Sequence, residues 1–340
     1  MILDSPVATR AVMDLSHFEA QLFLDSVQDV LNRGVLPTAW HAIKARALLI
    51  KLSETKDQLP TSFFISGVSD ADPHPTFCGG FGDVYRAFYD GGLVAMKRIR
   101  RFAGSSSSTK DRSKFCREAL VWQNLQHPFI LPFLGIDRET FPSALCLVSP
   151  WMSNGTVLEY LGRSGKSGYP QNGFTVPLRV MLEIIVGLEY LHSMNIVHGD
   201  LRGHNILISD DFHIRLTDFG LATTIVDGEG DQSSTSNRAG SVRWFAPELI
   251  DPRWFGAERF VRTRATDVYA FACVCIELHT GKPPFAELTD AAVIFKVVQG
   301  ERPERPETMT DTVWKIVTAT WTENGHERLP TSAIISLLEA

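Results

Sequence analysis

The sequence contains no hydrophobic run that approaches the roughly 20 apolar residues of a membrane-spanning helix. Its longest apolar stretch, VYAFACVCIEL, predicts a buried helix instead. The first residues, MILDSPVATRAVMDLS, lack the uninterrupted apolar core of a signal peptide. Positive charge is not in excess either, because 33 Lys and Arg oppose 39 Asp and Glu and leave a net charge of −6. The sequence therefore predicts a cytoplasmic protein that binds neither membranes nor nucleic acid.

Cysteine is scarce and scattered, at positions Cys78, Cys116, Cys146, Cys273 and Cys275. Only the last two lie close together, and alternate positions of a helix do not face the same partner. Disulfide bonds and cysteine metal sites are therefore disfavoured, and we expect buried, reduced thiols in an intracellular protein. The remaining composition, with 44% hydrophobic and 21% charged residues, is typical of a globular protein with a substantial core.

Residues 1–76 differ in pattern from the rest of the chain. Ser16 and Glu19 form a capping-box motif that predicts a helix, and Gly34 follows the last turn of that helix. A second helix is predicted to start after Thr38. Two amphipathic helices need a surface to pack against. The segment is therefore interpreted either as a brace on the neighbouring domain or as a module that binds a protein partner.

Strand signals begin at Phe77. FGDVYRAF and LVAMKRI flank an Asp-Gly turn and predict a hairpin. A mobile serine-rich loop is predicted over residues 103–113, followed by a helix around residues 116–125. ILISDDFHIRL predicts a second hairpin, and helices dominate from about residue 247 onward. A strand-rich half followed by a helix-rich half predicts an α+β fold with two lobes.

The first candidate functional motif is FCGGFGDVY, in which Gly79, Gly80 and Gly82 allow backbone amides to approach phosphate oxygens. Lys97, in VAMK on the strand across the hairpin, supplies a cation for nucleotide phosphates. Glu118 lies in the following predicted helix and can pair with Lys97 only if that helix packs on the sheet. Each signal alone is weak, since a glycine-rich stretch is usually a turn and a strand lysine is usually solvated.

The second motif is VHGDLRGHNILI, which places Asp200 and Asn205 on one loop between two short strands. Asp218 follows in LTDFG. Carboxylate and amide oxygens are hard donors that suit Mg²⁺ bound to phosphates. Any of the three alone would more often be a turn former. Their order and spacing together indicate a loop that orients a hydroxyl and binds a metal.

VAMK, HGDLRGHN, DFG and APE, in this order, resemble the signature set of eukaryotic protein kinases over about residues 77–338. The resemblance implies an α+β, two-lobed protein kinase-like fold, with a β-rich N-lobe at about 77–151 and a larger helical C-lobe at about 152–338. The helical segment of residues 1–76 would precede this kinase domain. The resemblance also implies ATP and Mg²⁺ as cofactors and a protein as the substrate.

The same resemblance implies a role for each motif residue. Asp200 would receive the proton of the acceptor hydroxyl, and Arg202 would reach the transferred group. Lys97 would bind the α- and β-phosphates and pair with Glu118, while Asn205 and Asp218 would bind the metal ions. The residues implied to contact the nucleotide are Gly79, Gly80, Gly82, Val84, Ala95, Lys97, Glu118, Ser149, Pro150, Met152 and Leu207.

LVSPWMSNGTVLEYL resembles the hinge segment of a kinase. The resemblance puts Ser149 beside the adenine at the gatekeeper position. The Pro150 carbonyl and the Met152 amide and carbonyl would meet the adenine edge. A side chain as small as that of Ser149 predicts a deep pocket behind the adenine.

Three further residues are implied to support the catalytic segments. Glu248 of APE would form a structural buried pair with Arg328 of HERLPT. Asp267 of TDVYAF would cap the catalytic loop from the large helix of the second lobe.

Two positions depart from the kinase pattern. Phe77 replaces the first glycine of the glycine-rich loop, and Gly199 replaces the Arg that usually precedes the catalytic Asp, which indicates the non-RD type. Antibiotic and choline phosphotransferases also contain His-Gly-Asp. They lack segments like GSVRWFAPELI and ATDVYAFACVCIELHTGKPPF of this chain, so a protein substrate is favoured. GSVRWFAPE looks like the tyrosine-kinase-like group, which favours Ser and Thr acceptors. Arg202 in DLRGHN is reminiscent of tyrosine kinases, so Tyr stays open.

The segment between Asp218 and Glu248 is rich in hydroxyls, which suits either regulation by phosphorylation or a solvated loop. Because Gly199 removes the Arg that usually pairs with an activation-loop phosphate, we hypothesise that activity does not depend on such a phosphate. An active kinase in intracellular signalling is the favoured interpretation. The alternative is a catalytically weak, ATP-binding pseudokinase scaffold that recruits partners through its N-terminal helices. The hydroxyls of this segment are Thr223, Thr224, Ser233, Ser234, Thr235, Ser236 and Ser241.

Overall fold

Contacts divide the chain into two compact units. The first unit comprises residues 1–126 and 131–151, and the second comprises residues 127–130 and 152–340. Gly80 and the hydroxyls at 233–236 lie outside the residues that the structure describes. The computed structural model describes residues 5–79, 82–98, 108–141, 144–164, 175–224, 241–256 and 259–340.

The first unit opens with helices whose ends follow local capping rules. The capping box of Ser16 and Glu19 is present at the start of α2, as predicted. The Thr38 side chain accepts a hydrogen bond from the third residue of α3, so the second predicted helix is also confirmed. A shorter helix, α1, precedes them and was not predicted. The three helices are α1 (Pro6–Met13), α2 (His17–Asn32) and α3 (Ala39–Lys56).

An antiparallel five-stranded sheet follows, in the spatial order β1-β2-β3-β5-β4. Asp90 and Gly91, between β2 and β3, have φ of 50° and 76°, which matches the primed turns of two-residue hairpins and confirms the first predicted hairpin. A helix, α4, separates β3 from β4. The elements are β1 (Phe77–Gly79), β2 (Gly82–Tyr89), β3 (Gly92–Arg98), α4 (Ser108–Gln123), β4 (Gly135–Asp137) and β5 (Cys146–Pro150).

The register of the sheet separates a functional face from a core face. Val84 pairs with Lys97, and Ala95 pairs with Ser149. Paired residues share a face and side chains alternate along a strand, so these four residues lie on one face. The opposite face is a hydrophobic core cluster of Tyr85, Ala87, Val94, Met96, Cys146 and Val148.

The serine-rich loop prediction is wrong from residue 108 onward. Helix α4 begins at Ser108, eight residues before the predicted start at 116. Serine and threonine favour helix N-termini as well as loops, so a serine run is an ambiguous signal. The first part of the predicted loop, residues 103–107, lies outside the described residues.

The second unit is built around α8 (Arg264–Thr280), in which every residue from Thr266 to Leu278 is buried. The prediction of a buried helix over this apolar stretch is therefore confirmed. The second predicted hairpin is confirmed by the pairing of β7 with β8. The other elements are α5 (Val157–Ser164), α6 (Thr175–Ser193), β6 (Ile196–Val197), β7 (Ile206–Ile208), β8 (Ile214–Leu216), β9 (Thr223–Thr224), α7 (Pro247–Ile250), α9 (Asp290–Val298), α10 (Asp311–Thr320) and α11 (Thr331–Glu339).

All five cysteines lie in described segments and are free thiols. Cys116, Cys146, Cys273 and Cys275 are buried, as expected, but Cys78 is exposed. Cys78 belongs to β1 at the edge of the sheet, where fewer neighbours cover a side chain. Within the described ranges, every helix is too short or too polar to span a lipid bilayer.

Candidate functional site

In the first unit, Lys97 and Glu118 form an ion pair. The sequence predicted this pair only on the condition that the helix of Glu118 packs on the sheet. Lys97 Nζ donates to Glu118 Oε1 at 2.7 Å, and the side chains are 18% and 5% exposed. The pair joins β3 to α4, so α4 packs on the functional face of the sheet. The Glu118 carboxylate therefore fixes the position of the Lys97 ammonium group.

Two glycines of the glycine-rich segment lie at strand ends, since Gly79 ends β1 and Gly82 begins β2. Gly79 pairs with Gly82, whose φ of 148° lies in a region that favours glycine. Phe77, which replaces the usual first glycine, is 48% exposed. Its ring stacks on that of Trp151 with a centroid distance of 6.1 Å and an interplanar angle of 22°.

The end of β5 contains the predicted adenine-contacting residues. Ser149 is buried and lies directly opposite Ala95 on the functional face. Pro150 pairs with Val94 and ends the strand, and the Trp151 N–H continues the ladder by donating to the Leu93 carbonyl at 3.0 Å. A proline is tolerated there because the next residue supplies the donor.

The second unit contains Met152 and Leu207, the other two predicted nucleotide contacts. The Met152 carbonyl accepts from the Gly155 N–H at 3.0 Å. Leu207 is partly buried in β7, where it pairs with Arg215 and forms a bridge to Thr156. These contacts lie within the protein and show where Met152 and Leu207 lie in the fold. Contact of either residue with a nucleotide stays a prediction.

Asp267 fixes the loop that contains Asp200. Its Oδ2 accepts from the His198 N–H at 2.8 Å, and its Oδ1 accepts from the Gly199 N–H at 2.9 Å. His192 Nε2 lies 2.9 Å from Oδ2. Asp267 is almost fully buried, so these bonds form in a low-dielectric environment. The predicted capping of this loop from α8 is confirmed.

Asp200 and Asn205 are held in a defined mutual orientation. Asn205 Nδ2 donates to the Asp200 carbonyl at 2.8 Å and to Asp200 Oδ2 at 3.0 Å. Because the amide nitrogen faces Asp200, the amide oxygen is the atom of Asn205 left to coordinate a cation. Arg202 Nε lies 3.6 Å from Asp200 Oδ2, which is an ion-pair distance rather than a hydrogen bond.

His198 connects this loop to the segment before Asp218. The Asp200 N–H donates to His198 Nδ1 at 3.3 Å, so Nδ1 is unprotonated. Nε2 therefore bears the proton and donates to the Thr217 carbonyl at 3.1 Å. Asp218, the next residue, has a left-handed φ of 67°. The buried His198 thus ties the backbone of Asp200 to that of Thr217, the residue before Asp218.

Gly199 lies in a confined position that the sequence did not reveal. Its φ is 77°, and a Cβ there would lie 2.6 Å from Arg262 Cδ and 2.8 Å from the Leu221 carbonyl oxygen. Arg262 is buried and donates from Nε to the Gly199 carbonyl at 2.8 Å. Arg262 belongs to none of the sequence motifs and lies 63 residues from Gly199 in the chain, so no local pattern indicated this contact.

Glu277 is another residue that sequence reasoning missed. Its Oε2 accepts from the Gly203 N–H at 2.9 Å and from Trp244 Nε1 at 2.8 Å. Burial raises the pKa of Glu277 to about 7, and the two N–H donors oppose that shift. Glu277 therefore links α8 both to the loop after Asp200 and to the 3-10 turn that contains Trp244.

Glu248 and Arg328 form the predicted buried pair. Arg328 Nη1 donates to Glu248 Oε1 at 2.6 Å and Nη2 donates to Oε2 at 2.8 Å. The side chains are 1% and 18% exposed for Arg328 and Glu248. Arg328 also donates to the Ala265 and Thr322 carbonyls. This bidentate geometry is the strong form of an arginine–carboxylate contact, and the prediction is confirmed.

The donor set fits a magnesium ion that is bound together with phosphates. Across the described segments, there is no group of three or more His, Cys, Asp or Glu side chains that could bind a metal by themselves. Mg²⁺ is usually bound by one or two carboxylates plus substrate phosphates. Asp218 and the amide oxygen of Asn205 match that requirement, whereas a protein-only metal site would need more ligands.

Comparison with known proteins separates residues 1–76 from the rest of the chain. The family model described as Protein tyrosine and serine/threonine kinase matches residues 77–338. The match contains the glycine-rich segment, Lys97, Glu118, Asp200 and Asp218. The N-terminal helices lie before it.

Curated relatives match over most of this chain but over less of their own length. The chain is 31% identical over 266 residues to the serine/threonine/tyrosine-protein kinase HT1 of Arabidopsis thaliana, covering 77% of this chain and 63% of that protein. It is 32% identical over 252 residues to the serine/threonine-protein kinase TNNI3K of Mus musculus, covering 73% and 28%. It is 31% identical over 261 residues to mitogen-activated protein kinase kinase kinase 5 of Arabidopsis thaliana, covering 76% and 34%. The chain therefore spans less than two thirds of each relative.

Proposed function

The chain belongs to the protein tyrosine and serine/threonine kinase family, and from this premise we propose that it transfers the γ-phosphoryl group of ATP to hydroxyls of protein side chains. Ser and Thr are the favoured acceptors and Tyr stays open. The observation that carries the proposal is the formed Lys97–Glu118 pair at 2.7 Å. It supports an active kinase because it orients the cation that binds the phosphates of ATP.

Each candidate residue then has a task in the transfer. Asp200 accepts a hydrogen bond from the acceptor hydroxyl and takes up its proton, and Arg202 donates to the transferred group. Backbone amides of the glycine-rich segment and the Lys97 ammonium neutralise phosphate charge. Asn205 and Asp218 would hold Mg²⁺, which would offset the negative charge of the phosphates.

The adenine-contacting residues determine how ATP is oriented. Val84, Ala95 and Ser149 offer small or apolar surface on one face of the sheet, which suits the faces of a purine ring. The Pro150 carbonyl and the backbone of Met152 are proposed to bond the adenine edge. Leu207 is proposed to contact the opposite ring face.

We also propose a domain division. Residues 77–338 form the kinase domain and residues 1–76 an accessory helical segment. A cytoplasmic location and a role in intracellular signalling stay predictions from the sequence. The segment GSVRWFAPE supports membership of the tyrosine-kinase-like group. Two relatives are described as a serine/threonine/tyrosine-protein kinase and a serine/threonine-protein kinase, which supports Ser and Thr as acceptors.

The non-RD type is a separate proposal. Gly199 stands where an Arg would bind an activation-segment phosphate, so activity is proposed not to need such a phosphate. Phosphatase treatment of the purified protein is the test. Retained activity supports the proposal, and activity that is lost on treatment and recovered by autophosphorylation contradicts it.

The central experiment compares the wild-type protein with D200N. Both are incubated with radiolabelled ATP, Mg²⁺ and a generic protein substrate, and the labelled amino acids are identified after hydrolysis. We expect D200N to lower phosphate incorporation by about 10²-fold or more, because it removes the group that positions the hydroxyl and accepts its proton. D210N is the matched control, since Asp210 is an exposed carboxylate in the turn between β7 and β8. Equal incorporation by wild type and D200N would instead support the pseudokinase scaffold.

A further inference from the structure

Helix α4 is enclosed on more than one side. Seven of the eight residues from Phe115 to Trp122 are buried, and only Arg117 among them is partly exposed. Consecutive helical residues point in directions about 100° apart, so a run of buried neighbours requires cover around most of the helix. The sheet covers the side that carries Glu118. A second element must cover the rest.

That second element is α3, which packs directly against α4. Leu49, Leu52 and Ser53 of α3 are at most 1% exposed. Cys116 of α4 lies against the Ser53 side chain, and burial raises the pKa of its thiol to about 11. The centre of the interface is therefore buried and mostly apolar.

Two ion pairs lie at the C-terminal end of α3. Arg117 Nε donates to Glu54 Oε1 at 2.7 Å, and the two side chains are 16% and 22% exposed. Arg112 Nε donates to Asp57 Oδ1 at 2.5 Å. Asp57 is the C-terminal cap of α3 in a left-handed conformation. Partly buried pairs are screened less by salt than fully exposed pairs, so the Glu54 pair is the stronger of the two.

The accessory segment is also anchored on its other side. The Asp25 carboxylate of α2 accepts from the Thr61 N–H at 2.6 Å, just after α3 ends. The Ile65 N–H then donates to the Ile136 carbonyl of β4 at 3.0 Å. The chain that leaves α3 is therefore tied to α2 and to the edge of the sheet, which restricts movement of α3 relative to the sheet.

We propose that α3 positions α4 for catalysis, and that Glu54, by binding Arg117, keeps the adjacent Glu118 on Lys97. This inference rests on the proposed kinase function. It assigns residues 1–76 the role of an internal brace, in which the Lys97–Glu118 pair forms within the chain itself and needs no partner protein. Glu54 is a positioning residue that acts through Glu118 and does not touch ATP.

The test is a double-mutant cycle between Glu54 and Glu118. E54K sets a cation against Arg117 and is expected to lower kcat/KM for ATP about tenfold, while KM for the protein substrate is unchanged. In the E118Q background, E54K should lower kcat/KM for ATP by less than about twofold, because the residue through which it acts is gone. Radiolabelled ATP quantifies even the slow E118Q protein.

Three further proteins make the outcome decisive. E54K/R117E reverses the charges of the pair and should restore kcat/KM for ATP to within about threefold of wild type. D29K is the matched control, because Asp29 pairs with Arg33 on the exposed surface of α2. It should leave kcat/KM for ATP unchanged. E54Q replaces E54K if the lysine variant does not fold.

Equal losses from E54K with and without E118Q would show a general structural effect and overturn the inference. A folded E54K protein with wild-type kcat/KM for ATP would also overturn it. A wild-type protein that neither binds Mg-ATP nor transfers phosphate would contradict the proposed function itself. The two failures are therefore distinguishable.

Discussion

Arg262 occupies the space that any side chain at position 199 would need. Its Cδ lies 2.6 Å from where a Cβ on Gly199 would be placed, and its Nε donates to the Gly199 carbonyl at 2.8 Å. The residue before Asp200 is therefore a glycine for steric reasons in this fold. The arginine usual at that position could not be introduced without moving Arg262 or the Leu221 backbone.

We predict that G199A destabilises the protein. The φ of 77° costs an alanine about 1–2 kcal/mol, and the contacts with Arg262 and Leu221 add about 1–3 kcal/mol of overpacking. The free energy of unfolding, measured in urea, should fall by the sum of the two. G281A is the matched control, because Gly281 has a φ of 65° but nothing within 4 Å of its Cβ position. Equal losses for both variants would refute the steric explanation.

We predict that R328M lowers the free energy of unfolding by about 3–5 kcal/mol, because Glu248 would keep its charge without its partner. Chemical denaturation measures the loss. K296M is the comparison, since Lys296 and Glu301 form an exposed pair in the same unit and should contribute less than about 1 kcal/mol. A loss for R328M no larger than that for K296M would contradict a structural role for the buried pair.

Local signals in the sequence predicted local structure well. The capping box at Ser16 and the Asp-Gly turn after β2 each depend on residues within a few positions, and both appear where expected. The serine run gave a wrong prediction, because serine has no single preference between a loop and the first turn of a helix such as α4. Helix α1 was missed because its eight residues carry too short a pattern.

Some long-range contacts could be predicted from the sequence and others could not. Lys97–Glu118, Glu248–Arg328 and the cap by Asp267 were predictable because the resemblance to kinases supplied the pairing. Arg262 and Glu277 were not, since their partners lie 63 and 74 residues away and no periodicity connects them. The packing of α3 on α4 was left as one of two interpretations, because an amphipathic helix does not specify the surface that covers it.

The small side chain of Ser149 leads to a prediction about inhibitors. Ser149 is buried beside Ala95 on the functional face, so a larger residue would fill any space behind the adenine. If the proposed function is correct, ATP-site inhibitors with a bulky tail should bind S149M at least about tenfold more weakly than wild type. Competition binding measures this. An inhibitor without the tail is the control and should bind both proteins alike, whereas equal binding of the bulky compound would exclude a deep pocket.

Glu277 predicts a pH dependence of stability. Burial raises its pKa in the folded protein to about 7, above the ordinary value of 4.5. Its Oε1 has no hydrogen-bond partner within the described residues, so the ionised form is incompletely compensated. The folded state therefore retains a proton that the unfolded state releases. This difference in proton binding contributes to the free energy of unfolding, and the contribution is fully present below pH 4.5. It is lost as the pH rises through about 7, and the total loss is at most about 3 kcal/mol.

E277Q isolates this contribution because glutamine does not titrate. Its carbonyl oxygen can still accept from Gly203 and Trp244, and any cost of burying its NH₂ group shifts stability equally at every pH. All other titrating groups are common to both proteins and cancel in the difference. The free energy of unfolding of wild type relative to E277Q should therefore fall between pH 5 and pH 8, as measured by urea denaturation at each pH. A difference that is constant with pH would mean that Glu277 is ionised throughout this range, with the two N–H donors outweighing burial.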